Sequence, residues 1–391
     1  MKVAIVVSHF DQDVGSYEYY LCRELAKLGH EVTLYTSDRR RPGYPGVGKR
    51  LTDKGETAAR FKLERTHAIF EIYQIPFMPR LGKALEQAEI DVIHSNEFFQ
   101  LCSLYAGRVA IKKNIPFILT QHGYKKPLNK AIRLPYWLVE KTMGRYVMNC
   151  AHKIIALTPD VEQYLLRNGI PQTKVEVVST GVPVELYRPD VPSALPDYGV
   201  APDDRVILFV GRLVENKGIA YLVEAFKKVK ETVEQTKLVI VGTGVLEPNL
   251  RQLVQKLDIE EDVVFLGRIP QQAMPQIYSG ASVFVLPTIY KEPFGIAAAE
   301  ALSSGVPVIA SDIDGLRVIV KHGEVGYLVP PGDVDGIADN IIELLTNDVL
   351  RVKLSQNARQ RAVAELSWAA RAKRISEIYQ CSREMIKRLD G

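Results

Sequence analysis

No run of ~18 uncharged apolar residues occurs in the chain, so nothing in it is long enough to cross a bilayer as a helix. Cysteine is scarce: Cys22, Cys102, Cys150 and Cys381 lie far apart, without C-x-x-C or zinc-type spacing. That excludes a disulfide framework and a structural zinc knot. No N-x-S/T acceptor is present. The opening MKVAIVVSHF has an apolar run too short for a secretory signal and reads as a buried strand. Disorder and low complexity are excluded too, because 47% of the 391 residues are hydrophobic and 25% are charged. A cytoplasmic protein of two or three domains is the expectation.

Charge is unevenly distributed. Residues 1–190 hold 27 Lys+Arg against 20 Asp+Glu, whereas residues 191–391 hold 23 against 26. Residues 101–150 alone carry nine basic side chains and one acidic one. A basic half and an acidic half suggest two domains with different partners. Within 112–146, Tyr124, Tyr136, Trp137 and Tyr146 interleave with the cations of an expected amphipathic helix. Such a face suits an anionic surface, such as that of the inner membrane, or an acidic acceptor. A solvated helix face is the plainer alternative. No recognition motif for nucleic acid accompanies the charge, so none is expected as a partner.

Strand-like and helix-like segments alternate. In the first half Val3–Val7, Glu31–Tyr35, Asp91–His94, Phe117–Thr120, Lys153–Leu157 and Val175–Val178 read as strands, and Ser16–Leu28 as a helix capped by Gly29. The stretch from Gly181 to Pro202 holds five prolines and reads as a hinge. The pattern then restarts with Val206–Val210, Lys237–Val241, Val263–Leu266, Val283–Leu286 and Val306–Ala310. The fold class is therefore α/β, with two Rossmann-like domains whose parallel sheets face across a cleft. The expected boundaries are 1–180 and 181–373. An amphipathic helix runs from Trp368 to Leu389, of which 374–391 is expected to pack back onto the first domain. Ligands of such sheets bind at the carboxyl ends of the strands, so chemistry belongs in the strand-to-helix loops.

Four loops stand out. Glu292-Pro-Phe-Gly-Ile-Ala-Ala-Ala-Glu300 follows a strand and opens a helix, with proline tolerated in the first turn. Gly295 lets a ligand approach, and the N–H groups of Phe294, Gly295 and Ile296 form an anion site. Glu300 falls about two turns into that helix. One carboxylate could bind sugar hydroxyls and the other a ribose diol; a capping acid and a surface Glu are the alternative. Gly211-Arg-Leu-Val-Glu-Asn-Lys217-Gly218 offers Arg212 as a planar fork and Lys217 as a mobile charge for one diphosphate. Thr120-Gln-His122-Gly123 puts a histidine at a strand end, where structural and catalytic roles are both open. Asp13-Val-Gly15-Ser16 follows the first strand and can turn backbone N–H groups toward a phosphate.

Taken in order, FVGRLVENKG, LVIVGTG, VVFLGRIP, PTIYKEPFGIAAAEALSSGVPVIASD and HGEVGYLVPPGD resemble the retaining nucleotide-sugar glycosyltransferases of family 4, which have the GT-B fold. The E-x(7)-E element is the specific part. The first half matches through the opening strand and Gly loop, LGHEVTLYT, DVIHSN and TQHG, and LSWAARAKRISEIY is similar to the family's returning helix. The resemblance implies that Arg212 and Lys217 hold the donor diphosphate in place of a metal. Glu300 would bind the ribose, and Glu292 with the amides of Phe294, Gly295 and Ile296 the donor sugar and phosphate. The backbone at Arg268 and Ile269 would meet the base, Gly15 would approach the phosphate, and His122 would line the sugar side near the transferred carbon. The implied reaction retains the anomeric configuration, and the leaving phosphate helps to deprotonate the acceptor. No cofactor is implied beyond the nucleotide diphosphate sugar as co-substrate; the acceptor would be a carbohydrate, a lipid-linked molecule or a small molecule.

The chain departs from the family pattern in places. Gly15-Ser16 stands for Gly-Gly, His94-Ser-Asn96 for His-x-His, Thr180-Gly-Val-Pro183 for Asn-Gly-Val-Asp, and Gly315-Leu-Arg317-Val318 for Gly-x-Pro-Glu. None of these touches the cations or the E-x(7)-E pair. Three further motifs are set aside. Gly43-Tyr-Pro-Gly-Val-Gly48-Lys49 has phosphate-loop spacing, but Arg50 replaces the required Ser/Thr. Gly242-Thr-Gly244-Val-Leu-Glu247 lacks the third glycine of a dinucleotide fingerprint, which disfavours an oxidoreductase. Asp312-Ile-Asp314 has a DxD form but reads as a structural turn rather than a metal site. A hydrolysing sugar-nucleotide epimerase and a non-catalytic nucleotide-sugar binder remain the alternatives to a hexosyltransferase. The first would need a clear carboxylate acid–base set, and the second the loss of one of Arg212, Lys217, Glu292 or Glu300.

Overall fold

The computed structural model describes the chain apart from residues 12–16, 41–49, 73, 124–129, 291, 293 and 391. The chain divides into two compact units, Met1–Gly181 with Trp368–Gly391, and Val182–Ser367. The return passage comes at Trp368, ahead of the expected 374, so the whole last helix, Trp368–Asp390, belongs to the first unit.

The first unit holds β1 (Lys2–Val6), β2 (Glu31–Ser37), β3 (Gly55–Glu56), β4 (Lys62–Thr66), a small β5 (Glu71–Ile72) and β6 (Ile75–Pro76) hairpin, β7 (Val92–Asn96), β8 (Phe117–Gln121), β9 (Lys153–Ala156) and β10 (Val175–Val177). Eight of these form one sheet in the order β10-β9-β8-β7-β1-β2-β4-β3, parallel except for β3. The central strand β1 is buried along Val3–Val6, which is why it reads as an unbroken apolar run, whereas its neighbour β7, VIHSN, buries polar side chains as well. On one face, helix Tyr17–Lys27 and the last helix share a core containing Leu21, Leu25, Trp368, Ile375 and Tyr379. On the other, helices Leu101–Lys113 and Arg145–Cys150 supply Cys102, Ala106, Val147 and Met148. The last helix is also held by polar contacts to this unit. The His30 ring meets the Ser376 hydroxyl at 2.7 Å, and Arg383 donates to Asp91 at 2.6 Å.

The second unit holds β11 (Arg205–Val210), β12 (Thr236–Val241), β13 (Val263–Gly267), β14 (Val283–Leu286), β15 (Val308–Ser311) and β16 (Gly326–Val329), all parallel, in the order β13-β12-β11-β14-β15-β16. Counted within the unit, that order is 3-2-1-4-5-6, the doubly wound arrangement that serves nucleotide binding. Five strands escape the sequence pattern: the two-residue β3, β5 and β6; β4, whose KLERT holds a single apolar residue beside the sheet edge; and β16, which is only four residues long.

Candidate active site

In an open parallel sheet, a crevice forms at the carboxyl ends of the strands where the strand order reverses. In the second unit this reversal lies between β11 and β14. The two segments singled out by sequence, Gly211–Gly218 and Glu292–Glu300, follow the carboxyl ends of these two strands.

Backbone contacts fix the loops to each other. The Ile289 N–H donates to the Asn216 carbonyl at 3.0 Å. Gly218 has φ +66°, and a Cβ placed on it would lie 1.9 Å from the Pro287 carbonyl oxygen. Only glycine allows that approach. Behind them, the loop after β12 packs on the 211–213 backbone: Leu213 N–H donates to Thr243 O and Leu246 N–H to Leu213 O, both at 3.0 Å. A Cβ on Gly242 would meet Gly211 O at 1.8 Å, and one on Gly244 would meet Leu213 O at 2.2 Å. The glycine pair that looks like half a dinucleotide fingerprint is thus required by loop-on-loop packing.

Lys217 and Glu292, 75 residues apart, form an ion pair in which the ammonium donates to the Glu292 Oε2. Both side chains are mostly covered, at 15% and 11% exposure. An ammonium has three donors, so this contact leaves two for a ligand. Arg212 is exposed, and its guanidinium makes no hydrogen bond or ion pair among the described residues. One cation is therefore held in place and the other is open to an anion.

Gly295 is the N-cap of helix Ile296–Ser303, with φ +86° and ψ 53°. The space its Cβ would take is filled by Leu316, whose Cδ2 would lie 2.5 Å away. The turn and Leu316 thus require the glycine, whether or not a ligand approaches. The helix starts at Ile296, beyond the proline, so Glu300 lies about one turn into it rather than two. Ile296 is exposed at this end and Phe294 is buried. The first N–H groups of a helix have no intrahelical acceptor and carry the positive end of its dipole. Arg268 is exposed and Ile269 half-buried, just beyond β13.

Glu300 faces inward. Its Oε2 accepts from the Tyr278 hydroxyl at 2.8 Å, and both residues are buried. Burial pushes the Glu300 carboxyl up to about 7, against the opposing effect of the Tyr278 and Tyr187 hydroxyls. Sequence reasoning missed Tyr278, because nothing in MPQIYSG signals a partner 22 residues away. The raised value has a stability consequence. Between about 4.5 and 7 the unfolded chain has released the proton that the folded chain still holds, so Glu300 makes folding stability fall as pH rises through that window. Urea unfolding of wild type and Glu300→Gln at several pH values checks this. The wild-type-minus-variant difference is expected to decline by up to ~1.4 kcal/mol per pH unit; a flat difference rules it out.

Asp312 is engaged by Arg317, whose Nε donates to Oδ1 at 2.5 Å and holds the carboxyl below its ordinary range. The Asp312 of the DxD motif is thus paired with a cation that stands in the following helix, Asp314–Ile319.

In the first unit His122 stands just past β8, half-buried, with its ring 4.7 Å edge-on from that of Tyr17. His94 is fully buried: Nδ1 meets the Tyr379 hydroxyl at 2.5 Å and Nε2 the Thr120 hydroxyl at 2.7 Å. Burial, and secondarily His122, lower it to about 3, so it stays neutral as a structural link to the last helix. Where the family has a second histidine, Asn96 donates to Glu18 at 3.0 Å. Asp13, Gly15 and Ser16, the 43–49 motif and Tyr124 lie outside the described residues.

Comparison with known proteins agrees with this architecture. Residues 192–361 match the model described as Glycosyl transferases group 1, and residues 14–186 the one described as Glycosyltransferase Family 4. A D-inositol 3-phosphate glycosyltransferase of Catenulispora acidiphila is 30% identical over 96% of this chain and 92% of that protein. An uncharacterised glycosyltransferase of Methanocaldococcus jannaschii is 35% identical, but the match spans only 56% of this chain and 57% of that one. A solved sucrose-phosphate synthase from Thermosynechococcus elongatus superposes with a TM-score of 0.70 at 25% identity, covering 97% of this chain and 98% of that one. The chain belongs to the glycosyltransferases of the group 1 and family 4 type, and its fold is GT-B.

Proposed function

We propose that this glycosyltransferase moves a hexose from a nucleotide diphosphate sugar to a hydroxyl acceptor, with retention at the anomeric carbon and without a metal. The observation that carries the reading is the grouping at the β11/β14 reversal of the exposed Arg212, the Lys217–Glu292 pair and the helix start at Gly295. Positive charge is gathered there, which is what a departing diphosphate needs. In the proposed reaction the bond from the anomeric carbon to the β-phosphate oxygen breaks, and the electron pair leaves with the diphosphate. Arg212 and Lys217 neutralise it, and the amides at the helix start add to the field. The acceptor oxygen bonds to the same face of the carbon, and its proton passes to the leaving phosphate. Glu292 holds Lys217 and faces the sugar hydroxyls, Glu300 accepts from the ribose diol, and the backbone at Arg268 and Ile269 meets the base. His122 and Gly15 keep the roles that the family resemblance implies for them.

An epimerase is less well supported. Glu292 is tied to Lys217 and Glu300 to Tyr278, so neither stands as a free acid–base partner. The test starts from a thermal-shift panel of nucleotide sugars, followed by assays with the best stabiliser and a panel of acceptors. Proton NMR of the product is expected to show the donor's anomeric configuration, with turnover unchanged by chelator. An inverted product contradicts the retaining reading, and turnover lost to chelator and restored by a divalent ion contradicts metal independence.

A further inference from the structure

Helix Lys130–Val139 runs on through a turn of π-helix, Glu140–Gly144, into Arg145–Cys150. Its second part is anchored: Val147 and Met148 enter the core, and a Cβ on Gly144 would lie 2.6 Å from the Phe98 ring. Its first part is turned the other way. Leu134, Trp137 and Leu138 are 71%, 52% and 54% exposed. Their i, i+3, i+4 spacing sets them on one stripe, and the same spacing continues it to the exposed Lys141. A helix that shows its apolar stripe to water gains nothing from amphipathicity unless something covers it. Tyr146 and Ile111 add exposed apolar surface, and the Arg108 guanidinium sits 5.8 Å over the Tyr146 ring. The chemistry of the cover is set by charge. Residues 101–150 carry nine cations and the single acid Glu140, and Lys112 is paired with Glu86 at 3.0 Å.

We propose that the stripe Leu134–Trp137–Leu138, continued by Lys141, docks this chain on an anionic lipid bilayer. The side chains enter the acyl boundary while the cations stay at the headgroups. This is independent of which sugar is transferred, and it does not use the residues assigned to the donor.

The experiment is co-sedimentation of the full chain with vesicles of phosphatidylcholine alone and of phosphatidylcholine with phosphatidylglycerol, together with tryptophan emission. The sequence has two tryptophans, and Trp368 is buried, so a shift on lipid addition reports Trp137. The expected result is partitioning onto the anionic vesicles only, with a blue shift, weakened by salt. Trp137→Ser with Leu138→Ser is expected to lower partitioning by more than about tenfold. An unchanged thermal melt and an unchanged donor-hydrolysis rate show that the fold and the donor site are intact. Equal partitioning onto both vesicle types, no partitioning, or partitioning indifferent to the double variant overturns the proposal. A concentration-dependent dimer that the double variant abolishes also overturns it, and assigns the stripe to a second copy of the chain.

Discussion

Replacing Lys217 by alanine is expected to lower turnover by roughly 10³-fold, in line with the loss of a charge that acts mainly on a developing anion. The fold is expected to remain, because Lys217 lies in the strand-to-helix connection outside the hydrophobic core, and its side chain's partner among the described residues is the carboxylate Glu292. Glu292→Gln keeps a hydrogen-bond acceptor but loses the charge, and is expected to cost roughly 10- to 100-fold. The two positions are not independent. With Lys217 absent, Glu292 has lost the group it positions, so Lys217→Ala with Glu292→Gln is expected to be little worse than Lys217→Ala alone. Steady-state kinetics on the three proteins decides this. Fully multiplicative losses would mean that the ion pair has no part in the reaction. Near-normal turnover in both single variants would remove the site assignment.

The second large effect concerns backbone. Gly218→Ala would place a Cβ 1.9 Å from the Pro287 carbonyl oxygen at φ +66°, so the two loops must separate. A loss of ~3 kcal/mol is expected, a fall of roughly 6–12 °C in the Tm of the second unit. Turnover should fall as well, since Lys217 precedes the displaced residue. Gly267 supplies the control: its φ is +63°, but no heavy atom lies within 4 Å of the position its Cβ would take. Gly267→Ala is therefore expected to cost only the ~1 kcal/mol of the left-handed backbone. Thermal melts compare the two, and equal losses would show that the contact between the loops contributes nothing.

The parts of this site that are local in sequence could be read without a structure. An apolar run such as RVILFV, ended by Gly211, marks a buried strand and the loop that follows it, and both cations of the site lie in that loop. The E-x(7)-E spacing likewise reports a strand-to-helix turn. What could not be read depends on distant contacts. Lys217 meets Glu292 across 75 residues, and Tyr278 meets Glu300 across 22. Gly242 and Gly244 resemble phosphate-binding glycines, but their neighbours are the backbones of Gly211 and Leu213, which no local pattern reveals. Similarly, spacing shows that helix 130–139 has an apolar stripe without showing that the stripe faces outward. β4 was not legible because KLERT, next to the edge strand β3, has no need of an unbroken apolar run.

The most direct measurement is a crystal structure of the chain with its best-stabilising nucleotide diphosphate sugar. The account predicts a pyrophosphate at the carboxyl ends of β11 and β14, with oxygens within ~3.2 Å of Lys217 Nζ, the Arg212 guanidinium and the N–H groups at the start of helix Ile296–Ser303. A ligand bound elsewhere, with Arg212 still in solvent and Lys217 paired only to Glu292, would contradict it.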